Sequence, residues 1–208
     1  MHYTSLKSGE AFSETYGKDG YIILDIGGKN VNGSLRSFFT EKNMEYICVD
    51  MEADESVDIV VKPCSKFPFD NSSIDLIVST SCFEHDPCFW LTFKEMTRVI
   101  KPNGYIYINA PTSGFYHCYP GDNWRFYSDA GQALAFWSGI QISNEDIFPV
   151  KVIETFNILG DAWNDFVCVW QRTENKETNI TISSEILNTI GILEKNINNK
   201  GLHTRKKC

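Results

Sequence analysis

Short uninterrupted apolar runs alternate along this chain with longer stretches of mixed polarity. Tyr21 to Leu24 is apolar throughout and leads into Asp25, Ile26, Gly27 and Gly28. A run of this kind predicts a strand buried on both faces, as in the middle of a parallel sheet. Glu45–Val49, Val57–Val61, Ile74–Thr80 and Tyr105–Asn109 predict four more strands. Between them, residues 8–17 read as a short helix. Ser34–Thr40 reads as a second, with Asn32-Gly33-Ser34 at its N-cap. Pro87–Ile100 reads as a third, with apolar positions at Trp90, Leu91, Phe93, Met96, Val99 and Ile100. Lys101-Pro102-Asn103-Gly104 then punctuates the chain. Further on, the pattern predicts a helix over Ser128–Trp137 with Ser128 as N-cap, a strand within Ile140–Ile158, and a last strand at Asp165–Gln171. Strands alternating with helices imply crossover connections and hence an α/β fold, doubly wound around a mostly parallel sheet with helices on both faces. From Arg172 onward Asn, Lys, Thr and Ser dominate, so residues 172–208 read as a polar appendage to a domain over 1–171. Ile186–Ile197 in it has an amphipathic pattern.

Composition narrows the setting. The chain has 208 residues, enough for one domain with a sizeable core. A net charge of -8 argues against a broad electrostatic grip on nucleic acid, which draws on Lys and Arg to displace counterions. No stretch approaches the ~20 apolar residues of a membrane span, and the first ten residues are polar, unlike a signal peptide. The seven cysteines include no Cys-x-x-Cys pair, and Cys48, Cys82 and Cys168 sit in apolar runs where thiols pack as small hydrophobes. A reducing cytoplasm is the expected compartment.

Candidate chemistry begins where the first strand ends. Glycine at a strand's carboxyl edge permits a positive φ and a close approach of ligand to backbone. In open α/β sheets ligands bind outside those edges. The loop Gly27-Gly28-Lys29-Asn30-Val31-Asn32-Gly33 lacks the Gly-x-Gly-x-x-Gly spacing of a dinucleotide fingerprint, and Gly33-Ser34 lacks the Lys of a P-loop. A ligand gripped through something other than phosphate, or an ordinary tight turn, remains. Asp50 ends the second strand about 25 residues beyond Asp25, close to the ~20-residue offset at which a second strand offers a carboxylate to ribose hydroxyls.

Taken in order, these pieces resemble the class I S-adenosylmethionine-dependent methyltransferases. The resemblance runs through Leu24-Asp25-Ile26-Gly27-Gly28, Val49-Asp50, Phe67 to Thr80, Glu84-His85, and Glu95 to Tyr105, and covers residues 21–111. It implies a Rossmann-like sheet of seven strands whose last pair is an antiparallel hairpin, with S-adenosylmethionine as cofactor. On that likeness Asp25, Gly27 and Gly28 hold the methionine end, Asp50 takes the ribose hydroxyls, and Met51 lies against the adenine. Lys62-Pro63 passes the adenine edge, and Thr80 and Ser81 complete the cofactor set. Two departures stand out: Lys29 and Val31 occupy positions where the family's loop carries glycines, and Lys62-Pro63-Cys64 stands where an Asp near the adenine amino group is common.

Methyl transfer to an alcohol also needs a proton acceptor. His85, after the fourth strand, and His117, in an aromatic loop after the fifth, are the candidates, because a neutral imidazole titrates near pH ~6.5. The pair Glu84-His85 also reads as a cap for the helix that follows Asp86-Pro87. The loop Phe115 to Tyr127 resembles a His-x-Tyr-Pro-x-Asp-x-Trp-Arg-Phe-Tyr pattern of sugar and surface-polysaccharide methyltransferases. That resemblance turns His117, Asp122 and Arg125 toward the acceptor, with Asp122 as a further candidate base. Tyr119, Trp124 and Tyr127 join as acceptor contacts, aromatic rings being suited to stacking on a sugar. A packed lid without substrate contact is the plainer reading of the same residues. No carboxylate–histidine spacing points to a metal. The leading expectation is O-methylation of a small polar acceptor such as a sugar or nucleotide sugar. The alternatives are N-methylation of an amino sugar or small amine, and a cofactor-binding module without turnover.

Overall fold

The computed structural model describes residues 3–118, 120–141, 146–160, 162–174 and 180–181. In chain order these form α1 (Tyr3–Tyr16), β1 (Ile22–Ile26), α2 (Arg36–Thr40), β2 (Glu45–Asp50), β3 (Ile59–Val60), β4 (Ile74–Thr80) and α3 (Phe89–Val99). They continue with β5 (Ile100–Ser113), α4 (Ala130–Ser138), β6 (Ile140–Gln141), β7 (Val150–Ile158), β8 (Asn164–Arg172) and β9 (Ile180–Thr181). Seven strands make one sheet in the order β3-β2-β1-β4-β5-β8-β7, and β6 pairs with β9 apart from it. The first five strands are mutually parallel, while β8 runs antiparallel to both β5 and β7. The chain winds outward from β1 through β2 and β3, then returns to place β4 on β1's other side. The strand order therefore reverses at β1, and a crevice opens above the carboxyl ends of β1, β2 and β4.

Side-chain alternation accounts for helices on both faces. Ile23 of β1, Leu76 and Val78 of β4, Tyr107 of β5 and Val167 of β8 point to one face, which Phe12 of α1 and Phe39 of α2 cover. Their neighbours Leu24, Ile77, Ile106, Ile108, Phe166 and Trp170 point to the other, against Phe93 and Met96 of α3 and Leu134 of α4. Successive residues of a strand face opposite ways, so a strand apolar at every position requires two covered faces.

Several boundaries differ from the sequence reading. Helix α1 begins at Tyr3, not Ser8, because its inner face is made of small residues that an apolar pattern does not register. Ser5, Gly9 and Ser13 are buried there with Phe12. A side chain on Gly9 would meet Leu35 Cδ2 at 2.5 Å, so glycine sets how closely α1 can approach. Lys101-Pro102-Asn103-Gly104 does not break the chain before β5. It forms a bulge inside it, where pairing jumps from Ile74↔Ile100 to Leu76↔Tyr105 and Asn103 takes a φ of 65°. Helix α2 starts at Arg36, whose N–H donates to Ser34 Oγ at 3.1 Å. At α4 the N-cap is Asp129, without a side-chain bond, while Ser128 Oγ accepts from Asn157 Nδ2 at 3.3 Å. The helix expected over Ile186–Ile197 lies outside the described residues. Cys64 and Cys88 form a disulfide, which the cysteine spacing did not announce. Cys48 and Cys168 are free and buried, as their apolar runs suggested.

Candidate functional site

The end of β1 is shaped by what its neighbours leave room for. Gly27 adopts a φ of 71° and donates its N–H to Val49 O at 2.8 Å. A Cβ on Gly27 would lie 2.2 Å from Cys82 Sγ, and one on Gly28 would lie 2.1 Å from Asp25 Oδ2. Both glycines are thus demanded by the packing of β1 against β2 and the loop after β4. The Asp25 carboxylate is buried and accepts the Tyr46 hydroxyl at 2.6 Å. Burial pushes its pKa up to about 6, against the opposing pull of that hydrogen bond and of Arg36.

At the end of β2, Asp50 accepts the Lys29 N–H on Oδ2 at 3.2 Å and the Glu52 N–H on Oδ1 at 3.0 Å. Each oxygen keeps acceptor capacity for a further donor. Lys29 Nζ pairs with Glu52 Oε2 at 2.7 Å, so the residue standing in place of a loop glycine fastens β1's loop to β2's. At the end of β4, Ser81 has a φ of 52° and donates its N–H to Asn109 O at 2.9 Å. Beside it the buried Thr80 Oγ1 meets no hydrogen-bond partner among the described residues.

These strand ends line one cavity of about 430 Å³. All nine residues assigned from sequence to the cofactor lie on its wall: Asp25, Gly27, Gly28, Asp50, Met51, Lys62, Pro63, Thr80 and Ser81. At its other end are Glu84, His85 and His117. Glu84 does not cap α3. The N-cap residue is Cys88, and Asp86 fastens the turn before it, its Oδ1 accepting the Cys88 N–H at 2.9 Å and its Oδ2 the Thr92 hydroxyl. Glu84 is 1% exposed, and burial pushes its pKa up to about 8. His85 Nδ1 bonds to Gly121 O, and burial pushes its pKa down, which keeps the ring neutral. The His85 and His117 rings meet edge to face with centroids 4.8 Å apart, and Trp163 closes on the other side of His117 at 4.8 Å.

The remaining acceptor candidates stand elsewhere. Asp122 forks onto Arg125 and accepts the His117 N–H at 3.0 Å, and the guanidinium holds its carboxyl well below the usual range. Such a carboxylate is a poor proton acceptor and a good strut. Arg125 also donates to Trp124 O and Phe115 O. Trp124 meets Phe89 and Trp90 edge to face, and its Nε1 donates to Asp86 O at 2.9 Å. Asp122, Trp124, Arg125 and Tyr127 are absent from the cavity wall, and Tyr127 is exposed. Tyr119 lies outside the described residues. Sequence reasoning passed over Glu84 as chemistry, although it stands next to His85, and Trp163 and Asp165, which only the fold brings to the cavity.

Comparison with known proteins agrees with this geometry. Residues 21–108 match the family described as "Methyltransferase domain". An uncharacterized methyltransferase of Mycobacterium sp. (strain KMS) is 32% identical over 94 residues, which are 41% of this chain and 36% of that protein. The chain thus spans about a third of the length of the curated relatives it matches. Among solved structures, Burkholderia thailandensis 1,6-didemethyltoxoflavin-N1-methyltransferase, with bound S-adenosylhomocysteine, aligns with a TM-score of 0.63 at 13% identity. The alignment covers 82% of this chain and 79% of that one. The cyclase SpnF aligns with the same TM-score at 10% identity, covering 82% and 81%. Over residues 21–108 the chain is thus similar to a methyltransferase domain, on a sheet order and fold that solved methyltransferase structures share.

Proposed function

We propose that this chain transfers a methyl group from S-adenosylmethionine to a small polar acceptor, with a hydroxyl of a sugar or nucleotide sugar as the leading candidate. The observation that carries the proposal is the single cavity joining the Asp25–Gly28, Asp50–Met51 wall to the Glu84–His85–His117 end. The wall fits the cofactor. Asp50 has acceptor capacity left for a ribose diol, and the orphaned Thr80 Oγ1 calls for a polar occupant. When bound, the cofactor supplies an electrophilic methyl group. The protein's task is then to hold the acceptor in line with it and receive a proton. This reading assigns the proton to His85, whose Nδ1 is fixed by Gly121, or to His117, braced by Asp122 through its backbone. The fold alone does not decide the reaction, since a cyclase shares it.

The sugar reading rests on the resemblance of the Phe115–Tyr127 loop, whose Trp124, Arg125 and Tyr127 would have to turn inward to touch the acceptor. One observation favours N-methylation of a small amine instead. Glu84 Oε2 is buried without a partner among the described residues, and an amine N–H would satisfy it. The cytoplasmic setting and the reading of 172–208 as an appendage belong to this proposal as well. No described helix is long and apolar enough to cross a membrane, while the Cys64–Cys88 disulfide weighs toward an oxidising compartment. A labelled-methyl screen over nucleotide sugars, free sugars and small amines tests the reading, beside calorimetry with S-adenosylhomocysteine. Transfer to a hydroxyl supports it, and transfer to amines alone shifts it to the second reading. Cofactor binding with no transfer to any acceptor leaves a binding module.

A further inference from the structure

At the acceptor end of the cavity, Glu84, His85 and His117 each bring one donor atom to within 4.8 Å of the other two. The loop after β4 supplies the first two and the loop after β5 the third. Glu84 is almost wholly buried, and its Oε2 meets no hydrogen-bond donor among the described residues. A buried polar atom left bare costs about 1–3 kcal/mol and more if charged, so the position asks for an occupant that is positive or a donor. Arg125, the nearby cation, is engaged by Asp122.

The histidines are arranged for the same occupant. His85 Nδ1 bonds to Gly121 O, whereas His117 Nδ1 is buried 3.3 Å from Asp122 Oδ2 without a hydrogen bond among the described residues. His85, its Nδ1 on a carbonyl, presents its lone pair at Nε2, as metal-bound histidines are oriented by their outer partners. The bare Nδ1 of His117 is a second buried nitrogen that an ion would satisfy. His85 Nε2 is 3.7 Å from Glu84 Oε1, so carboxylate and imidazole already share one space. Two imidazole nitrogens with one carboxylate oxygen suit zinc, cobalt, iron or manganese, whereas magnesium and calcium prefer all-oxygen sites. Three protein donors also leave a coordination position open toward the cavity that all three line.

We infer that Glu84, His85 and His117 form a three-ligand site for a divalent transition-metal ion, with its open position facing the acceptor. An acceptor hydroxyl bound at that position would lose its proton to solvent water, with His85 and His117 then serving as ligands in place of the base. This use rests on the methyl-transfer reading above, whereas ion binding itself does not.

The test uses untagged full-length chain, stripped with chelator and titrated with zinc or cobalt by calorimetry. About one ion should bind per chain, in wild type and in Cys118→Ser alike, with magnesium far weaker. Glu84→Gln and His117→Ala should each lose about tenfold or more in affinity, the usual effect of disturbing a metal's ligand shells. S-adenosylhomocysteine binding, measured on the same samples, checks that the variants fold. Absence of stoichiometric binding in wild type, or equal binding in wild type and both variants, overturns the inference. Ion binding that depends on Glu84 and His117 in a protein that ignores S-adenosylhomocysteine would keep the ion site and remove the methyltransferase reading.

Discussion

Asp25 and Asp50 stand at the ends of adjacent parallel strands and do opposite things. Asp25 is buried with its pKa raised to about 6, so between pH ~4 and ~6 the folded chain holds a proton that the unfolded chain has released. Stability must therefore fall as pH rises through that window and stay reduced above it. Asp25→Asn removes the titration while keeping an oxygen for the Tyr46 hydroxyl. The variant should match wild type near pH 4 and exceed it by up to ~3 kcal/mol above pH 6, a raised pKa costing ~1.4 kcal/mol per unit. Urea denaturation across that range, without cofactor, would sink the account if the difference between the two proteins did not change with pH. Asp50 is only partly buried and keeps acceptor capacity, so its replacement should be felt by the ligand. Asp50→Ala should weaken S-adenosylhomocysteine binding by roughly 1–3 kcal/mol, the scale of lost hydrogen bonds to a charged acceptor. Unchanged affinity in a folded variant would remove Asp50 from the ribose position.

Among the elements, legibility followed how locally each was determined. β4 carries Ile74, Leu76, Ile77 and Val78, and its bounds Ile74–Thr80 are those the pattern predicts. Helix α1 was shortened in the sequence reading because Ser5, Gly9 and Ser13 carry its buried face, Ser5 through hydrogen bonds to Asp165 and Asn109. That Asp25, Gly27, Gly28, Asp50, Met51, Thr80 and Ser81 share one cavity was readable because strand ends present consecutive residues to one crevice. His85 and His117 were legible as candidates, but their meeting with Glu84, Trp163 and Asp165 was not, because these come together only through tertiary packing. Cys64, in the turn after β3, and Cys88, the N-cap of α3, belong to the same class of long-range fact. Both flank residues of the cavity wall, Lys62, Pro63 and Pro87. Closing a loop of this length stabilises by ~3 kcal/mol in the chain-entropy account, so replacing both cysteines by serine should cost about 2–4 kcal/mol. Reductant should lower the stability of the wild type and leave the double variant unmoved. If reductant moves neither, the two thiols are not joined in solution.

Among the described residues, the crevice at the point where strand order reverses is as telling in what it excludes as in what it admits. Dinucleotide and nucleoside-triphosphate folds hold their phosphates on runs of glycine N–H groups at a helix N-terminus. Here the first loop turns back through Lys29, whose N–H and Nζ are spent on Asp50 and Glu52. The helix after it, α2, begins only at Arg36, and that guanidinium is held by Asp58 at 2.7 Å. No cradle for a pyrophosphate remains there. The wall carries carboxylates instead, at Asp25 and Asp50, which repel phosphate and accept hydroxyl or ammonium donors. S-adenosylmethionine has a ribose diol, an α-amino group and no phosphate, so it matches that wall, whereas NAD and ATP bring charge it disfavours. Ligands raise the melting temperature only through affinity for the folded state. S-adenosylmethionine and S-adenosylhomocysteine should therefore raise it, by an amount that grows with concentration, while NAD and ATP at equal concentration should leave it within error. Comparable shifts with all four would mean that the crevice reads adenosine alone and that the carboxylates at the ends of β1 and β2 take no part in choosing the ligand.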